Sequence, residues 1–166
     1  MRSSELRAAA PHIAHDVMLL RQAHELRHLR VGWTAWYVMA RNVATFFEVA
    51  QGRRGDIRAR EYFESGAELA KWRAVRARRL ETAPPGLGVL YGQASRAVAH
   101  LSWQRVTEGE VQAPSREGTQ FLLGLWSDFV TCLGAPHKER FLEAWKALHR
   151  RAQKPQIAAK RSRGLD

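Results

Sequence analysis

Apolar residues in this chain recur at steps of three and four, the spacing that gathers them on one side of an α-helix. Over 11–29 the pattern runs through Ile13, Val17, Leu20 and Leu26, with Pro11 suited to a first helical turn. Over 31–50 it runs through Trp33, Trp36, Ala40, Val43 and Phe47, and Gly52 with Arg53 and Arg54 beyond it reads as a helix stop. Asp56 reads as the cap of a short third helix reaching Phe63, and 67–80 turns Leu69, Trp72 and Val75 to one side. The run Ala83-Pro84-Pro85-Gly86-Leu87-Gly88 cannot continue a helix and reads as a loop inside one domain. Helical spacing returns over 89–107, yields to a polar loop over 108–115, and resumes over 118–133. A last helix starts at Pro136 and carries Phe141, Leu142, Trp145 and Leu148 on one face. No segment alternates as a strand would, and no repeat is visible. The expected fold is all-α, an up-and-down bundle of five to seven helices over 1–153, followed by a basic tail over 154–166.

On the second helix a wheel places Trp36, Ala40, Val43, Phe46 and Phe47 together, with Thr34, Arg41, Thr45 and Glu48 opposite and Asn42 near the edge. Arg41 and Asn42 are therefore expected away from the aromatic seam, either as an ordinary solvated face or as a stripe that meets a ligand. On the 89–107 helix, His100 shares a polar stripe with Gln93, Arg96 and Thr107. An imidazole beside an arginine can take or give a proton near neutral pH next to a phosphate. Arg105 falls on the apolar flank of the same helix and needs a carboxylate such as Asp56, because an unpaired buried guanidinium is costly. Both are expected to be structural.

Charge adds a direction to this picture. Lys and Arg number 27 against 16 acids, a formal net charge of +11, and 22 of the cations are arginine. Arginine's planar fork suits phosphate and carboxylate, and nucleic acid is the polyanion such a surface most often meets. A hydrophobic share of 45% with six Trp and six Phe belongs to a packed globule. One cysteine, Cys132, rules out an internal disulfide and is expected in the core. The start of the chain lacks the apolar run of a signal peptide, and 31–40 is half a membrane span, so a cytoplasmic location without membrane insertion is expected.

No Walker-type loop, HExxH, paired Cys or GxSxG is present, which argues against P-loop, zinc and serine-hydrolase chemistry and implies no cofactor. His24 and His28 have the i,i+4 spacing of a metal pair, but without an evident carboxylate they read, with Arg21, as a solvated or anion-contacting face.

Three blocks, WYVMARNVATFF, GDIRAREYF and RAVAHLSWQR, resemble blocks that occur in the same order in HEPN-like bacterial proteins. There an aromatic helix carries an Arg-Asn pair and a later helix carries His-Leu with a following Arg. The resemblance spans about 32–108, nearly half the chain. It implies a helical bundle, often a homodimer, related to RNA-cleaving toxins, antiphage effectors and their inactive relatives. The usual motif places a His four to six residues beyond the Arg and its polar neighbour. Arg41-Asn42 matches its start, but Phe46, Phe47 and Glu48 stand where the His belongs.

Two function classes follow. In the first, the chain binds RNA and cleaves it without metal: Arg41 meets the scissile phosphate, Asn42 orients, and His100 supplies the missing imidazole, with Arg96, Arg53 and Arg54 as further phosphate contacts. In the second, it is a non-catalytic interaction module that binds a protein partner or a nucleic acid through the same surface. Membrane-surface association through the tail is weaker, because the tail lacks an apolar face.

Overall fold

The computed structural model describes residues 3–26, 28–50, 52, 55–85 and 116–161. Among them are five α-helices, one 3-10 turn and no strand, so the all-helical expectation holds. The helices are α1 (Ser3–Glu25), α2 (Arg30–Phe46), α3 (Gly66–Glu81), α4 (Arg116–Cys132) and α5 (Ala135–Arg161), with the 3-10 turn at Ala59–Tyr62. The helix expected over 89–107, and with it Arg96, His100 and Arg105, lies outside the described residues, as do Arg53 and Arg54.

Helix α1 packs against α2, α4 and α5, and α4 in turn meets α2, α3 and α5. The buried stripe of α1 is Leu6, Ala10, Ala14, Val17 and Leu20, at steps of four and three. This stripe begins before Pro11, which is why α1 starts at Ser3 and carries the proline inside it, eight residues earlier than the proline suggested. Tyr62 anchors that early turn: its buried hydroxyl donates to the Leu6 carbonyl at 3.0 Å.

The core is aromatic. The Phe129 ring of α4, fully buried, lies 5.2 to 6.3 Å between centroids from Phe46, Phe47, Tyr62, Phe63, Trp72, Trp126 and Phe141. Most of these pairs meet edge to face, the arrangement the ring quadrupole favours. Every wheel position assigned inward on α2, from Trp36 to Phe47, is buried, and Cys132 is buried in the same core. Leu26 and Leu142 differ from expectation: at 47% and 38% exposure both point outward, Leu26 because α1 has already ended.

Helix α2 stops at Phe46, short of the expected Ala50 and Gly52. Glu48 takes the left-handed conformation (φ 58°) that usually belongs to glycine, and Val49 N–H turns back to the Ala44 carbonyl at 2.9 Å. A charge network holds this non-glycine turn. The Arg76 guanidinium of α3 donates to the carbonyls of Phe47 and Glu48, while the Glu48 carboxylate pairs with Arg60 at 3.1 Å and Arg58 at 3.7 Å.

The same ion pairs account for the fate of the expected third helix. Arg58 and Arg60 are tied to the end of α2, and only Ala59–Tyr62 coil, as a 3-10 turn whose Ala59 and Tyr62 are buried. Asp56 therefore caps no α-helix; the residue before the turn is Arg58, with no side-chain cap bond. Helix α3 is capped as its Ser-x-x-Glu pattern implies, Ser65 Oγ accepting from Glu68 N–H at 3.1 Å. Helix α5 remains helical through 154–161, most of the segment expected as a basic tail.

Candidate functional site

Beside the α1–α2 contact, residues 55–57, which follow α2 in sequence, help to frame an open cleft of about 480 Å³. Ile13, Val43, Phe46 and Ile57 form its apolar walls. Asp16, Arg41, Asn42, Thr45 and Asp56 bring polar groups to it, and Gly55 completes the lining. A volume in this range suits a small ligand or one nucleotide of a longer one.

Arg41 is half-buried, and its guanidinium forms no hydrogen bond or ion pair with a described residue. It lines the cleft and is only partly exposed, so the helix face opposite the aromatic seam is not simply a solvated one. Asn42 is exposed, and its amide donates to Asp16 Oδ2 on α1 at 3.1 Å. The expected pair thus divides: the Arg41 side chain pairs with no described residue, and Asn42 hydrogen-bonds a carboxylate of α1.

Burial raises the Asp16 carboxyl above its ordinary value near 3.8, against the hydrogen bond from Asn42 and the nearby His15 and His12, which lower it. A carboxyl with a raised folded-state pKa keeps its proton where the unfolded chain has lost it, so its contribution to stability falls as pH rises above 3.8. Asp16→Asn keeps the shape and removes that burden. The variant should melt above the wild type at pH 7, and the gap should close as the pH approaches 3; thermal melts across that range check it, and a lower melting point at pH 7 would contradict it.

A second polar constellation is buried between α1, α2 and α4. Trp36 Nε1 donates to Thr119 Oγ1 at 2.8 Å, and Thr119 Oγ1 lies 3.1 Å from His24 Nδ1. His24 is thus turned to the interior and not to the face expected to hold it with His28, while Arg21 pairs with Glu25 at 3.6 Å. His137, also buried, sits 3.3 Å from Glu64 and edge-on to Tyr62. Among the described residues no group of three or more His, Cys, Asp or Glu is placed to hold a metal, and no helix is long and apolar enough to cross a membrane.

Of the residues singled out in the sequence, Arg41, Asn42 and Asp56 meet in one cleft. The partner proposed for Asp56, Arg105, lies outside the described residues, as does His100. Asp16 was not anticipated. Its signal is an acid one residue before buried Val17 and three after Ile13, on the flank of the buried stripe of a helix that also carries histidines. Comparison of the chain with protein-family models, curated proteins and solved structures finds no match.

Proposed function

We propose that the chain is a HEPN-like helical protein that binds RNA, with Arg41 contacting a phosphate at the mouth of the α1–α2 cleft. The observation that carries this reading is a half-buried guanidinium that makes no ion pair with a described residue and lines a 480 Å³ cleft, although the acids Asp16 and Asp56 line it too. Such a group is partly stripped of water, and an incoming anion relieves the cost. Its fork matches two phosphate oxygens at once. The net charge of +11 draws the polyanion in from a distance. A homodimer and a cytoplasmic setting belong to the same reading through the resemblance.

Cleavage is a separate step in this reading. Asn42 is bonded to Asp16 and does not orient a ribose while that bond lasts. No histidine lines the described part of the cleft, so metal-independent cleavage depends on His100 as the acid or base at the 2′-OH.

Purified protein mixed with single-stranded RNA separates the possibilities. The expected result is a retarded band that fades with added salt and weakens in Arg41→Ala. RNA shortened by the wild type but left intact by His100→Ala would add a ribonuclease activity; RNA retarded and intact would make the chain a binding module. No retardation at low salt contradicts the proposal.

A further inference from the structure

Alongside the cation, the α1–α2 cleft carries a fixed hydrogen-bond acceptor. Asp16 is half-buried, and the one described hydrogen bond to its carboxylate, from Asn42, engages Oδ2 alone. An ionised carboxylate offers about four lone-pair sites on two oxygens. Several of them therefore remain for a ligand, at a group that burial already leaves short of donors.

The surroundings select the kind of donor. Arg41 lines the same cleft, and the side chains of His12 and His15 lie near enough to Asp16 to act on it electrostatically. Arg41 opposes a cationic donor at Asp16, and Asp56, the second acid of the lining, is not without a partner of its own; neutral N–H groups meet no such repulsion. The ligand must also present an anion to Arg41 and a flat or apolar body to Ile13, Val43, Phe46 and Ile57. A nucleotide combines these features. Among the four RNA bases, guanine alone offers two adjacent neutral donors, N1–H and the N2 amino group, on its pairing edge, and two parallel donors match a carboxylate as a guanidinium fork does. Adenine and cytosine set a donor beside an acceptor, and uracil flanks one donor with two acceptors.

We infer that the cleft is a guanine-nucleotide pocket, in which Asp16, held by Asn42, accepts from the base edge and Arg41 takes the phosphate. The inference rests on the proposed phosphate contact at Arg41 and adds to it a base preference. The guanine comes either from a free nucleotide or from an unpaired residue of RNA, and the experiment distinguishes the two.

The full chain is titrated calorimetrically with GMP, AMP, CMP and UMP, and separately by fluorescence anisotropy with an oligoadenylate and the same oligomer carrying one central guanine. GMP is expected to bind roughly tenfold more tightly than the other three, as a base-edge contact of this kind allows. Asp16→Asn should erase the preference while binding of the oligoadenylate persists, and Arg41→Ala should weaken all four nucleotides. A preference for the guanine-bearing oligomer places the base in RNA. GMP preference without binding of either oligomer keeps the pocket, assigns it to the free nucleotide and overturns the RNA reading. Equal affinity for the four nucleotides, or a preference that survives in Asp16→Asn, overturns the pocket, and the RNA reading then stands or falls on the oligomers alone. Melting curves of both variants confirm that they are folded.

Discussion

Phe129→Ala should destabilise the protein by about 3–5 kcal/mol, the cost of deleting a buried phenyl ring and leaving the cavity open. The position invites the upper end. Its seven aromatic neighbours come from α2, the 3-10 turn and its C-terminal flank, α3, α4 and α5, so no single element can shift to fill the space. Domains of this size are stable by about 5–15 kcal/mol, so the variant should approach the limit of cooperative folding. Urea denaturation read by tryptophan fluorescence gives the difference. A loss under about 1 kcal/mol would mean that this cluster is not the centre of the core.

Thr119→Val should cost about 1–3 kcal/mol although the two side chains have nearly the same shape. The substitution removes the hydroxyl that accepts from the Trp36 indole, and that indole is 1% exposed. An N–H left without an acceptor in a dry site carries its full desolvation cost, unlike a hydrogen bond lost at the surface. Thr119→Ser is the control: it retains the oxygen and should lose much less. Equal losses in the two variants, measured by the same denaturation, would show that the cost lies in packing and not in the Trp36–Thr119–His24 chain.

Periodicity made the helices legible because their buried faces are crowded with large apolar residues, from Trp36 to Phe47 on α2 and from Phe121 to Phe129 on α4. It failed where long-range charge decides the backbone. Nothing local tells that Arg76, 28 residues downstream of Glu48, supplies the donors that end α2 early and support a left-handed glutamate. Pro11 misled for a related reason: its local preference for a first turn is outweighed by Leu6 and Ala10, which continue the buried stripe to the N-terminal side.

The candidate site was half legible. Arg41 and Asn42 were visible as polar residues opposite an aromatic seam, but a wheel treats one helix alone and cannot show what faces it. The structure sets α1 beside them, and Asp16 then gives Asn42 a partner and leaves Arg41 without one among the described residues. His24 was misread in the same way, since Thr119, its hydrogen-bonding partner, is 95 residues away in sequence.

The salt dependence of RNA binding tests the central claim most directly. Dissociation constants for a single-stranded oligomer, measured at several salt concentrations, give a slope that counts the phosphates neutralised, about 0.7 per contact for single strands. If Arg41 holds a phosphate, Arg41→Ala weakens binding and lowers the slope by about 0.7, while the wild type keeps its full dependence. A slope and an affinity unchanged by the substitution would contradict the account, because the guanidinium in the cleft would then be meeting no phosphate at all.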